Sequence, residues 1–216
     1  MKAFQRARKP EEKEVRREAI LAAARQIASE VGPMELGLNE IGRRSGVSKP
    51  NIYRYFESRE HILLHLLVTE MEELLEDMEA RLGRRPLKRS TVAARFVAAW
   101  LGRPLLCQLL GMVTSILEHN LSVDAIAESK IRIVALTGQA AAAMVRVLPW
   151  LDPGDAAWAV QAIALYVAGL WPAAHPSQAA VEVLSRPEFA SFRPVAERDL
   201  ARFVEVILAG LDATKA

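Results

Sequence analysis

Apolar side chains recur along this chain in steps of three and four, and glycine or proline interrupts the pattern at intervals. That period places them on one face of a helix, whereas a half-buried strand needs strict alternation. From Glu11 to Val31 the apolar positions are Val15, Ala19, Ile20, Ala23, Ala24, Ile27 and Val31, and Gly32-Pro33 ends the run. Leu38 to Ser45 is predicted as a short second helix closed by Gly46, and Ser48 as the cap of a third. Ser58 caps a long helix from Arg59 to about Leu82, roughly 35 Å at the helical rise. Its apolar stripe opposes Glu72, Glu73, Glu76, Asp77 and Glu79.

Gly83-Arg84-Arg85-Pro86 is the clearest break. Beyond it helices are predicted at about Ser90 to Leu101, Pro104 to Asn120, Val123 to Leu148, Pro153 to Trp171 and Pro194 to Leu211. Asp152 is the natural cap of the fourth of these. The proline-rich stretch from Trp171 to Pro194 reads as a loop with at most a short helix near Gln178 to Leu184. No strand alternation bounded by hairpin turns and no internal repeat is visible. The fold class is all-α.

Charge is distributed unevenly. The whole chain of 216 residues carries a formal net charge of +2, which argues against nucleic acid until the chain is divided. Residues 1–60 hold 13 Lys+Arg and 9 Asp+Glu, and residues 61–216 hold 15 and 17. The positive excess is therefore N-terminal, beginning with the arm Lys2, Arg6, Arg8 and Lys9. The single cysteine, Cys107, cannot form an internal disulfide, and the N-terminus lacks a leader's apolar run, so a cytoplasmic protein is expected. Ala156 to Ala174 is long enough to span a membrane, but it is largely alanine with a central Gln161. It reads as a buried or interface helix, and no membrane partner is expected.

The stretch from Leu38 to Leu63 carries function. It reads as helix, glycine turn, short helix, long helix. Ile41 and Val47 lock the two short helices together, and Ile52 and Phe56 face the core. Ser48, Lys49, Asn51, Tyr53, Arg54 and Tyr55 are left pointing outward. This is helix-turn-helix geometry, whose second helix enters the major groove of DNA.

Over about residues 11–63 the sequence resembles the TetR family of bacterial transcriptional regulators. The resemblance rests on Ile20-Leu-Ala-Ala-Ala24, Ile41, Gly46-Val-Ser48, Tyr53, Tyr55-Phe56 and Ser58-Arg-Glu60. Two positions depart from the family pattern: Gly37 where a Ser or Thr often caps the second helix, and Gly42 where Ala is usual. Glycine at a cap costs little. Gly42 inside a short helix should cost up to ~1 kcal/mol. The resemblance implies a helix-turn-helix domain over 1–58 and a helical ligand-binding and dimerisation domain over 59–216. It also implies a homodimer through the helices near 153–171 and 194–211, and a double-stranded, pseudo-palindromic DNA operator.

Chemistry assigns the roles. Lys49 and Arg54 can neutralise phosphate or donate to guanine, and Asn51 can pair with adenine. Tyr53 and Tyr55 can donate to phosphates. Ser48 with the amides behind it, and Arg59 at the start of the long helix, offer anion sites. Asn39 and Arg43 on the second helix can touch backbone. In the body, Trp100, Cys107, Met112, His119, Gln139, Trp158 and Tyr166 are candidates to line an apolar pocket for a small-molecule effector. His61 and His65 read as ordinary helix-surface histidines rather than metal ligands. Cys107 has only Arg103 nearby to activate it, so a redox sensor is disfavoured. With no nucleophile triad, phosphate loop or zinc signature, no enzyme, cofactor or metal is expected. A ligand-responsive regulator, by family habit a repressor, is the leading reading; a helical adaptor on the same scaffold, without DNA reading, is the second.

Overall fold

The computed structural model describes residues 10–113 and 116–214, so the arm from Lys2 to Lys9 lies outside the described residues. All regular elements among the described residues are helical. A head is formed by α1 (Pro10–Val31), α2 (Leu38–Ser45) and α3 (Lys49–Ile52). The body comprises α4 (Arg59–Leu82), α5 (Arg89–Leu101), α6 (Pro104–Met112), α7 (Val123–Val147), α8 (Pro153–Ala174), α9 (Gln178–Leu184) and α10 (Ala196–Ala213).

Side chains named by the sequence start these helices. The Ser58 hydroxyl accepts the His61 N–H at 3.2 Å, and the Asp152 carboxylate accepts that of Gly154 at 2.7 Å. Ser122 and Ser177 do the same for α7 and α9. Each such cap is worth about 1 kcal/mol. Ser48 differs: it occupies the N-cap position of α3 but makes no bond to the helix backbone. Its oxygen instead accepts the Asn51 side-chain amide at 3.0 Å.

Three predicted boundaries move. The run Pro104 to Asn120 is not one helix: α6 stops at Met112, and a 3-10 turn over Leu117–Asn120 follows. The β-branched Val113 and Ile116 at this break favour helix poorly. α8 continues through Pro172 to Ala174, and α10 begins at Ala196 rather than Pro194.

α4 is the spine. It packs against α1 on the head side and against α5, α6 and α7 in the body. Ile62, Leu63, Leu66, Leu67, Leu74, Met78 and Leu82 are all buried along it. At about 1.5–3 kcal/mol for each large apolar side chain, this stripe holds head and body on one rod. α10, one of the two helices expected to meet a partner, also serves the chain's own core: its Leu200, Val204 and Leu208 are buried.

Two glycines set the turn of the head. Gly46 has φ +69°, the left-handed region that favours glycine, and closes α2. Gly42 is not the weakness its helix propensity implies. A Cβ there would lie 2.9 Å from the Val47 carbonyl oxygen, a backbone atom that cannot swing aside. Gly42→Ala therefore gains up to ~1 kcal/mol in propensity but meets an overpacking cost of about 1–3 kcal/mol. A lower melting temperature is expected for the alanine variant by calorimetry; a higher one would mean the turn moves without resistance.

Candidate nucleic-acid interface and ligand cavity

The helix-turn-helix is held from beneath. Ile41, Val47, Ile52 and Phe56 are buried together. Ser48, Lys49, Asn51, Tyr53 and Arg54 are exposed on the other side, with Asn39 beside them on α2. Among the described residues, the side chains of Lys49, Tyr53 and Arg54 have no hydrogen bond or ion pair. Tyr55 is only half-exposed and packs on the core.

Two predicted contact residues are already engaged within the chain. Arg43 grips Glu40 through both carboxylate oxygens at 2.8 and 2.6 Å. Arg44 joins the same carboxylate, and the two guanidiniums hold it down at about 2. Arg59 donates to the Met34 carbonyl at 3.1 Å and pairs with Glu60. It therefore ties the start of α4 to the loop after α1 instead of presenting a bare cation.

Contacts that no local spacing reveals join head to body. Arg25 of α1 meets Glu73 of α4 through two hydrogen bonds of 2.7 and 2.6 Å, and Glu70 at 2.7 Å. Arg103, between α5 and α6, donates to the Glu73 carboxylate and to its carbonyl, both at 2.9 Å. The hydrogen bond from Arg25 holds the Glu73 carboxyl below its ordinary range. Glu70 is held above its own, because its burial outweighs the nearby Arg25. In the loop before α4, the Glu57 carboxylate takes the N–H of Ser122 at 3.1 Å and its hydroxyl at 2.7 Å. The head is thus fastened to the start of α7 as well as to α4.

His61 and His65 sit at this junction rather than on an open helix surface. His61 Nδ1 accepts the Glu57 N–H at 3.1 Å, and His65 Nδ1 faces Arg17 Nη2 at 3.0 Å. Both outer partners can only donate, and a neutral ring has one N–H and one acceptor nitrogen, so the two rings cannot turn all three contacts into hydrogen bonds at once. Their Nε2 atoms face each other at 3.1 Å. A further proton adds a donor where acceptors are already short. Burial first, then the charge of Arg17, hold His65 down at about 4. Because this lies below the unfolded value of 6.5, the stability is present above pH 6.5 and lost as pH falls toward 4. For a residue buried as deeply as this one, the loss amounts to about 3 kcal/mol. Melting followed from pH 7 to pH 4 should show it, and His65→Gln should flatten that slope; an unchanged slope would place the acid sensitivity elsewhere.

The body holds a cavity of about 600 Å³. α4 contributes Leu67, Met71 and Met78; α5 contributes Phe96 and Trp100; α7 and α8 contribute Leu136, Thr137 and Gln161. Of the seven residues proposed from sequence, Trp100 alone lines it. Cys107 is buried on the inner face of α6, where its thiol meets the Trp100 carbonyl at 3.5 Å and burial pushes it up to about 12. Met112 is buried away from the cavity, and His119 and Gln139 are exposed. Trp158 faces outward, and Tyr166 stacks on Phe203 at 3.9 Å between ring centres. The α4 and α7 lining carries no signal of its own in the sequence, because those side chains read as ordinary core. Gln161 has a visible signal as the one strongly polar residue in its segment. Another cleft, of about 560 Å³, lies beside α9. None of its lining residues comes from α4, so it has no direct line to the head.

A three-helix head with an outward helix-turn-helix, set on a separate helical body, defines the class of bacterial helix-turn-helix transcriptional regulators. Bacterial regulatory proteins of the tetR family are matched over residues 20–66, and the Tetracyclin repressor-like C-terminal domain over 68–215. The chain belongs to the TetR family. It is 30% identical over 96 residues to the HTH-type transcriptional repressor KstR of Rhodococcus jostii (strain RHA1), covering 44% of this chain and 45% of that protein. It is 30% identical over 80 residues to the HTH-type transcriptional regulator BetI of Rhizobium meliloti (strain 1021), covering 37% and 39%. The chain thus spans less than half the length of these curated relatives.

Similar solved structures share the fold across nearly the whole chain. A TetR transcriptional regulator from Rhodococcus sp. RHA1 has a TM-score of 0.58 at 18% identity, covering 93% of this chain and 99% of that one. A TetR variant from Acinetobacter baumannii AYE, in complex with minocycline, has 0.52 at 17%, covering 91% and 96%.

Proposed function

We propose that the chain is a cytoplasmic, homodimeric, ligand-responsive transcriptional repressor, with a reading head over residues 1–58 and a sensing body over 59–216. The observation that carries this is one helix serving two sites. α4 begins at the helix-turn-helix and lines the cavity with Leu67, Met71, Leu74, Leu75 and Met78. A molecule in the cavity that favours one tilt of α4 biases the spacing of two recognition helices in a dimer. Such coupling is typically about 1–3 kcal/mol. The repressor sense follows the name of the Rhodococcus jostii relative, and the minocycline complex of the Acinetobacter baumannii protein supports an effector.

The dimer rests on uncovered apolar surface. Trp158 and Leu165 on α8 are 54% and 74% exposed, and Val206 on α10 is 62% exposed. Between these helices, α9 and the 3-10 turn Pro187–Phe192 bury no residue. Large apolar side chains left exposed on two long helices support an interface there. α8 is long and apolar enough to cross a membrane, but it packs against α6, α7 and α10.

Selection from random duplexes with the purified chain tests the reading. Enrichment of an inverted repeat, with half-sites about one helical turn apart or a multiple of it, is expected. Recovery of no preferred sequence would favour an adaptor that kept the scaffold.

A further inference from the structure

We propose that Arg103 is the positioning residue that passes the state of the cavity to the reading head, by holding the α5–α6 corner and α1 on one carboxylate of α4. This rests on the reading of the cavity as the effector site and of the head as the DNA reader.

The corner is flanked by the cavity wall on both sides. Trp100, near the end of α5, and Leu110, about two turns beyond Arg103 in α6, both line the cavity. Arg103 stands between them, and its backbone N–H donates to the Trp100 carbonyl at 3.0 Å. A molecule that shifts Trp100 or Leu110 therefore shifts the backbone that carries Arg103.

The guanidinium of Arg103 lies on α4. Its Nη1 donates to Glu73 Oε2 at 2.9 Å, and its Nη2 to the Glu73 main-chain carbonyl at 2.9 Å. Arg25 of α1 donates to the same Oε2 at 2.6 Å and to Oε1 at 2.7 Å. One carboxylate oxygen thus sits between a guanidinium of the head and a guanidinium of the body. Beside it, Glu70, whose side chain is 5% exposed, pairs with Arg25 at 2.7 Å and lies 3.8 Å from Arg103. Drawing Arg103 away breaks a charge-assisted bond on the oxygen that Arg25 holds, and leaves Arg25 to face both carboxylates alone.

Two features separate this from a plain stabilising pair. Arg25 already answers both oxygens of Glu73, so Arg103 is not needed to satisfy the carboxylate. The second bond of Arg103 goes to the backbone, so its fork sets the angle between the corner and α4 as well as balancing charge. Lysine keeps the charge but donates from one point, and cannot hold carboxylate and carbonyl as a fork.

The test is linkage: the ratio of affinities of Nile red, an uncharged fluorescent dye, for the full chain without and with a saturating selected duplex. Wild type should give a ratio of about five or more. Arg103→Lys and Arg103→Gln should bring it to about two or less, while dye affinity without DNA and DNA affinity without dye each stay within about two-fold of wild type. Arg103→Lys decides the matter if the glutamine variant fails to fold. Arg81→Gln, which removes an ion pair to Asp77 within α4, should leave the ratio unchanged. In wild type, absent dye binding, absent DNA binding or equal affinity in both states overturns the effector reading itself. A wild-type ratio kept in the Arg103 variants overturns the role of Arg103 alone. So does outright loss of dye or DNA binding in both variants, which makes Arg103 a prop of the fold. So does an equal loss of linkage in Arg81→Gln, which makes any charge on α4 suffice.

Discussion

Lys49→Ala is expected to weaken binding to every duplex, specific or not, and to flatten its dependence on salt. Lys49 is exposed at the start of α3, and its ammonium has no partner among the described residues. On the proposed reading this cation meets phosphate, and a phosphate contact carries no sequence information. Losing it should cost about 1.5–3 kcal/mol, at least roughly ten-fold in affinity, for each copy. The slope of log affinity against log salt should fall by about 0.9 per copy, hence by roughly two for a dimer. Mobility shifts across a salt series measure this directly. Asn51→Ala should behave differently, altering base preference with little change in slope. Arg43→Ala and Arg59→Ala should move the slope less than Lys49→Ala, because both guanidiniums are engaged within the chain. An unchanged slope for Lys49→Ala would remove that residue from the phosphate contacts.

Phe56→Ala is expected to have the largest effect on stability. Its ring is 1% exposed and closes the head core under α3. It also meets the rings of His61 and His65 edge-on, with centres 5.7 and 5.4 Å away, and Arg17 lies 5.6 Å from it on the face side. Truncating a buried phenylalanine costs about 3–5 kcal/mol. At about 2–4 °C per kcal/mol for a chain of this size, the melting temperature should drop by roughly 10 °C. DNA binding should fall with it, because the same ring seats α3 on α4. A loss under about 1 kcal/mol would mean that the junction is far looser than its packing indicates.

Local grammar in this sequence reads well. Ser58, Asp152 and Gly46 mark helix ends that the structure keeps, and Leu38–Ser45 and the start of α4 fall where they are predicted. The inward set Ile41, Val47, Ile52 and Phe56 is legible because two short helices around one glycine leave few ways to bury them. What cannot be read lies between elements. Arg25 and Glu73 stand 48 residues apart, as do Arg17 and His65, and no helical period links them. The cavity is hidden for a related reason. Periodicity says that a face is covered, not whether its neighbour fits tightly or leaves a space. Polar and aromatic side chains such as His119, Gln139 and Tyr166 stand out in the sequence, whereas the lining is chiefly aliphatic. Gly42 reverses its sign because propensity counts the helix alone and not the Val47 carbonyl packed against it.

The central claim is that DNA and cavity report to each other through α4. The most direct measurement is the affinity of Nile red for the full chain, by fluorescence titration, with and without a saturating selected duplex. Linkage is reciprocal, so a cavity that changes when DNA binds must hold the dye differently in the two states. The expected result is about a five-fold or greater difference, toward weaker dye binding on DNA, in line with a coupling of roughly 1–3 kcal/mol. Equal affinity in both states would contradict the coupling.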